Sequence, residues 1–318
     1  MRTVWFHRGE YKRLYGGHLK HSHYVRHTAD LADFVPKITF TGKAGNDALE
    51  RERLALWPPG EFGHAGHWDP QPGDILFLAG LDWRYLSDDR FDGLSCPRIN
   101  LVQGVRHAEA DTELYEYLAL KAVRICVSQE VADAICATGR VNGPVIAIPN
   151  GIETLSITPT SKRLPVTISG YKDPELAKAL ANRLSDKGIE NRCLADFIPR
   201  ESFLGLLSQS RVAVCLPRAE EGFYMPALEA MGFGCMVVTV DCVGNRGFCL
   251  DGRNCFIADR NLDALAEATL RALNTRTVTR WRMRRKATAT ARRRSLSKER
   301  KRFHAVLDDI DRLWASAT

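Results

Sequence analysis

The sequence predicts an α/β fold made of two successive doubly wound units. Three observations carry this reading. Short β-prone apolar runs alternate with helical stretches through the first half. A polar stretch rich in Ser, Thr and Pro interrupts them at residues 153–165, and the same alternation then restarts. Short strands separated by helices belong to parallel sheets covered on both faces. A chain of 318 residues holds roughly two domains of about 150 residues each.

In the first half, residues 3–7 read as a buried strand, followed by a turn at Gly16-Gly17 and a helix over 18–32. Residues 37–41, 74–78, 98–102, 124–127 and 145–148 are further strands. Residues 42–72, rich in Gly and Pro, read as loops with a short helix. A helix over 129–138 has Ser128 as its N-cap. Behind the 153–165 linker, strands at 166–169, 192–195, 212–216 and 236–240 alternate with helices at 174–187, 200–209, 226–232 and 262–273. At the end, Phe303, Val306, Leu307, Ile310 and Trp314 form a helical apolar stripe. The expected domains are 1–155, 156–295, and a C-terminal helix, 296–318, returning to the first domain.

Composition narrows the class. With 45% hydrophobic and 26% charged residues, the chain is an ordinary globular protein. Its longest apolar run, 75–81, is too short to span a bilayer, and the start lacks an apolar signal core, so a cytoplasmic protein is expected. The nine cysteines form no CxxC pair and read as free thiols of a reducing compartment. His18, His21, His23 and His27 read as polar residues of an amphipathic helix that needs no metal. Residues 276–302 carry 13 Lys/Arg against one acid, Glu299; this segment's +12 exceeds the chain's whole +7 and leaves the remainder at −5. The bland reading of that segment is a solvated cationic helix face packed back on the first domain. The functional reading is a contact with nucleic acid or with an anionic membrane, which would make the protein peripheral at the inner membrane face.

The chemistry concentrates in residues 212–239. A strand ends near Leu216, a loop bears Glu221 and Gly222, and a helix opens near Pro226, a residue suited to a first turn. Glu229 lies one turn in. Two carboxylates and a helix N-terminus thus face the mouth of a parallel sheet, where open α/β folds bind ligands. The helix tip suits phosphate, and carboxylates accept hydrogen bonds from vicinal hydroxyls. A ligand both hydroxyl-rich and diphosphate-bearing is a nucleotide sugar. Taken singly, Glu221 reads as a solvated loop acid and Glu229 as a helix-dipole partner.

Glu221-Gly-Phe-Tyr-Met-Pro-Ala-Leu-Glu229 resembles the paired-glutamate motif of family 4 glycosyltransferases, with further similarity at Gly234, Gly244-Asn245 and residues 251–257, and at Pro149-Asn-Gly-Ile152. The resemblance covers roughly residues 124–275. It implies the GT-B architecture, two Rossmann-like domains facing a cleft. It also implies a retaining transfer with no metal and no cofactor beyond the donor itself, a UDP-sugar being favoured. By the same resemblance Glu229 would hold the donor ribose and Glu221 the transferred sugar. Backbone N–H groups near Phe223, Tyr224 and Met225, and at Gly244 and Asn245, would approach sugar and phosphates.

The sequence departs from the family in the first loop of the second domain, where Ser169-Gly-Tyr-Lys172-Asp replaces the usual Gly-Arg and Lys-Gly pairs. Lys172 and Arg246 are the candidates for the diphosphate, with Arg218 nearby. In the first half, the resemblance makes Gly16 and Gly17 a donor-side turn, although a plain tight turn fits as well. It places His107 against the transferred sugar, with Arg106 on the acceptor side; a structural histidine is the alternative. Asp88-Asp89 reads as a surface loop rather than a metal motif. The expected acceptor is an envelope glycan or a lipid-linked sugar. Hydroxymethylated DNA bases, as in some phage enzymes, are an alternative, and a sugar-nucleotide epimerase or hydrolase is an alternative of another class. No Gly-x-Gly-x-x-Gly follows a strand, which argues against a dinucleotide oxidoreductase.

Overall fold

The computed structural model describes residues 1–9, 11, 14–41, 45–60, 62–86, 95–153 and 161–317. The chain divides into two compact units, Met1–Pro149 with Glu299–Thr318, and Asn150–Lys298. Asp88-Asp89 and most of the 153–165 stretch lie outside the described residues.

The first unit runs β1 (Arg2–Arg8), α1 (Gly16–Ala29), β2 (Phe34–Phe40), α2 (Asp47–Leu56), β3 (Gly63–His64), β4 (Ile75–Ala79), β5 (Arg98–Val102), α3 (Glu113–Glu116), β6 (Val123–Cys126), α4 (Gln129–Cys136) and β7 (Val145–Ala147). Its seven strands form one sheet in the order β3-β2-β1-β4-β5-β6-β7, with every pairing parallel. β4 is buried along its whole length, as expected of a central parallel strand covered on both faces. Ser128 caps α4 through the Val131 N–H.

The second unit runs β8 (Leu164–Ser169), α5 (Pro174–Ser185), β9 (Asn191–Leu194), α6 (Arg200–Gln209), β10 (Ser210–Cys215), α7 (Met225–Gly232), β11 (Met236–Val240), β12 (Phe256–Ala258), α8 (Leu262–Leu273) and α9 (Thr277–Arg293). Its five parallel strands are ordered β12-β11-β10-β8-β9. Leu164 pairs with Ser210, so the end of the expected linker is already strand. α7 buries nearly every side chain; a helix apolar all round must be covered on all sides, and here β10, β11, α6 and α9 cover it.

Two helices, α10 (Leu296–Asp308) and α11 (Ile310–Ala315), close the chain. From Glu299 onward they belong with the first unit. Tyr24 of α1 lies against Phe77 of β4 and Phe303 of α10, with ring centroids 5.2 and 4.8 Å apart. α1 is therefore covered by the sheet on one side and by α10 on another. This corrects the reading of its histidines as an amphipathic polar face: His21, His23 and His27 are all buried. Glu299 joins Lys20 at 2.5 Å and His27 at 3.1 Å. Burial works to raise the Glu299 carboxyl, but Lys20 and His27 outweigh it and hold the group below its ordinary range. His21 packs edge-on against Phe6, Trp57 and Phe77.

The basic segment is also placed differently from the bland expectation. α9 packs on α7 within the second unit, through Met283, Ala287 and Ala291. Small residues let the two helices approach closely, so a weak alanine stripe suffices. Among the described residues no helix is long and apolar enough to cross a membrane. All nine cysteines are free.

Candidate active site

In the second unit the chain runs from β8 out to β9 on one side, then crosses to β10 on the other side of β8. The carboxyl ends of β8 and β10 thus flank the topological switch point, where open α/β sheets bind ligands. Lys172 follows β8 and Glu221 follows β10. They meet there, Nζ to Oε1 at 3.3 Å. Gly170 makes the tight exit from β8 possible, because a Cβ on it would lie 2.0 Å from the Ala177 Cβ.

The loop bearing Glu221 is clamped by the segment after β11. The Val243 N–H donates to the Ala219 carbonyl and the Tyr224 N–H to the Gly244 carbonyl, each at 3.0 Å. Gly244 has to be glycine: a Cβ would lie 2.5 Å from both the Glu221 carbonyl oxygen and the Phe223 nitrogen. Asn245 is fully buried. Its Oδ1 accepts from the Cys242 N–H at 3.2 Å and its Nδ2 donates to the Val240 carbonyl at 2.9 Å. The Asn245 N–H donates to the Cys242 carbonyl. The N–H groups of Tyr224 and Asn245 are therefore spent within the chain, and these two residues shape the loop rather than offer backbone donors. The Tyr224 side chain is buried and hydrogen-bonds Ser169 at the end of β8. Phe223 lies tilted against Phe248, with centroids 5.3 Å apart, and Met225 is buried at the first position of α7.

Glu229, one turn into α7, is 1% exposed. Its Oε1 lies 2.6 Å from Arg200 at the start of α6, an ion pair whose angles fall outside hydrogen-bond geometry, so that oxygen keeps hydrogen-bonding capacity. A buried carboxylate is tolerated only beside such a partner. Arg200 escaped the sequence reading, as did Arg260, which donates to the Pro217 carbonyl at 2.6 Å and reaches Asp173 at 3.3 Å. Arg260 thereby ties the exits of β8 and β10 together. Arg246 is half exposed and paired with Asp241 at 2.6 Å; Arg218 is exposed.

In the first unit, Gly16 and Gly17 are the first turn of α1 itself rather than a turn preceding it. A Cβ on Gly17 would lie 2.7 Å from the Gln103 Oε1, and the Gln103 amide donates to the Gly17 carbonyl. The β1 and β5 exits are thus in contact. One turn further on, the 3-10 turn Val105–Ala108 carries His107, buried, and Arg106, exposed. Burial, then Arg124 and Arg106, push the His107 imidazole down to about 4, so it is neutral near pH 7. Arg124, wholly buried in β6, donates to the carbonyls of Tyr117 and Leu118. At the end of β1, His7 bonds the Thr39 hydroxyl at 2.8 Å and stacks on Trp68. Burial and Arg8 push it to about 4 as well. Among the described residues no cluster of three His, Cys, Asp or Glu could hold a metal ion.

Two Rossmann-like units with parallel sheets, the second carrying an acid–base pair at its switch point and a buried carboxylate one helical turn in, are the GT-B fold. Residues 120–275, a little under half of the chain, match the family model described as Glycosyl transferases group 1. No curated protein matches the sequence. Among solved structures, Anabaena Alr3699/HepE in complex with UDP-glucose superposes with a TM-score of 0.75 at 14% identity, over 97% of this chain and 100% of that one. A glycosyltransferase from Rickettsia africae gives 0.68 at 13% identity, over 97% and 98%. Sucrose-phosphate synthase from Thermosynechococcus elongatus gives 0.68 at 11%, over 97% and 99%. At these identities the likeness establishes the fold.

Proposed function

We propose that the protein moves a sugar, with retention of anomeric configuration, from a UDP-sugar to a hydroxyl of an envelope glycan or a lipid-linked sugar. The observation that carries the reading is the switch-point arrangement: Lys172 paired with Glu221 at the sheet edge, and Glu229 buried one turn into the following helix. The solved relative in complex with UDP-glucose supports the choice of donor.

In this reading the ribose hydroxyls donate to the Glu229 carboxylate, which Arg200 holds in place. Diphosphate arrival draws Lys172 away from Glu221. The ammonium then neutralises the leaving group, the main electrostatic demand of the reaction, and the released Glu221 carboxylate accepts from hydroxyls of the transferred sugar. Arg246 exchanges Asp241 for phosphate in the same way; exposed ion pairs are weak enough to swap partners. The family resemblance further assigns Gly16 and Gly17 to the donor, neutral His107 to the transferred sugar and Arg106 to the acceptor. The departing diphosphate takes the proton of the acceptor hydroxyl on the face where the new bond forms. The proposal calls for no metal and no cofactor.

A thermal-shift panel of nucleotide sugars tests it. A ligand at 100-fold its dissociation constant adds about 2.7 kcal/mol to stability, so a UDP-sugar raises the melting temperature by several degrees where GDP-sugars do not. Donor incubated without acceptor should stay largely intact; rapid release of an epimer or of free sugar would instead indicate an epimerase or hydrolase.

A further inference from the structure

We propose that the outer face of α9 seats this protein on an anionic membrane surface. Met283, Ala287 and Ala291 face inward. At about 3.6 residues per turn, Val278, Arg282, Arg285, Ala289 and Arg292 fall on the opposite side. Val278 and Trp281 are 62% and 58% exposed, and the Arg285 guanidinium lies over the Trp281 ring at 5.4 Å.

Among the described residues nothing compensates the charge on this surface. Glu299, the single acid between residues 276 and 302, is buried against Lys20 and His27 and contributes nothing outside. Among the described residues no carboxylate pairs with Arg282, Arg284, Arg285, Lys286, Arg292 or Arg293. A groove of about 390 Å³ runs beside the helix, lined by Thr277, Arg280, Trp281, Arg284, Arg285 and Thr288. Its size and charge suit a phosphate headgroup.

Cations and apolar groups on one helix face are the two elements of interfacial binding. Arginines attract anionic lipid, each worth roughly a fivefold change in partition, and their stems reach past apolar neighbours to keep the charge at the headgroups. Tryptophan prefers that same boundary. The exposed Val278 and Trp281 decide between a membrane and a nucleic acid: an aliphatic side chain gains from entering an acyl layer and gains nothing along a phosphate backbone. The proposal does not rest on the donor assignment, since vesicle binding is read with no sugar present.

The test is co-sedimentation of the full chain with vesicles of phosphatidylcholine alone or mixed with phosphatidylglycerol. The wild type should sediment with the mixed vesicles only, and less as salt rises. The triple variant Arg282→Gln/Arg285→Gln/Arg292→Gln should lose roughly 100-fold in partition. Trp281→Ala should weaken binding and abolish the blue shift of tryptophan emission on vesicle addition. Unchanged melting temperatures show that the variants are folded. Failure of the wild type to bind mixed vesicles, equal binding by the folded triple variant, or tighter binding to duplex DNA than to the vesicles would each overturn the proposal.

Discussion

Lys172 and Glu221 sit in different loops, yet their charged atoms meet 3.3 Å apart where β8 and β10 part company. Both side chains are partly exposed, 34% and 22%. Such a pair contributes little to stability, and its value lies in being exchangeable. Lys172→Ala should therefore leave the melting temperature nearly unchanged while weakening donor binding. A hydrogen bond to a charged group is worth about 1.5–3 kcal/mol, which is roughly 10- to 150-fold in Kd, read by calorimetry with UDP. Unchanged affinity would reduce Lys172 to a partner for Glu221.

Arg200 and Glu229 behave oppositely, because Glu229 is buried. Arg200→Met leaves an uncompensated interior carboxylate and should cost about 3–5 kcal/mol of stability. The double variant Arg200→Met/Glu229→Gln removes both charges and should recover most of it. Denaturant titration of the four-member cycle gives the coupling. Additive losses would mean that the 2.6 Å pair is not a unit.

Much of the second unit was legible in the sequence. Strands β8 to β11, and the opening of α7 at Pro226, follow from apolar runs and a first-turn proline; the three-residue β12 was too short to read. What escaped reading depends on contacts between distant residues. Arg200 meets Glu229, and Arg260 reaches back to Asp173 and Pro217, pairings with no local signature. The burial of His21, His23 and His27 was hidden for a related reason: polar residues read as surface until α10 is seen to cover α1. The packing of α9 on α7 went unread because one methionine and two alanines among arginines make too faint a stripe to name a partner. Gly16 was read as a turn, although glycine opens this helix.

Two glycines should respond in opposite directions. Gly244→Ala pushes a methyl group against the backbone of Glu221 and Phe223, and displaced backbone costs about 1–3 kcal/mol. Both the melting temperature and UDP affinity should fall. Gly205 lies inside α6 with open space where its Cβ would stand, so Gly205→Ala should stabilise by about 0.5–1 kcal/mol with donor affinity intact.

Stability should decline with acidification well above the carboxylate range. His7 and His107 are held at about 4 by burial and neighbouring arginines, and burial places His21 well below its ordinary value. In the unfolded chain these groups protonate near pH 6.5, so between pH 6.5 and about 4 the unfolded state binds more protons and stability rises with pH. His7 and His107 should each cost on the order of 2 kcal/mol at pH 5 relative to pH 7.5. Urea melts at the two pH values measure this. His107→Gln should flatten part of the slope.

The most direct test of the account is calorimetric titration of UDP into the wild type and Glu229→Gln. If the buried carboxylate holds the ribose, the variant stays folded and binds at least about 10-fold more weakly. Wild-type affinity in a folded Glu229→Gln chain would contradict the assignment of this edge of the sheet as the donor site.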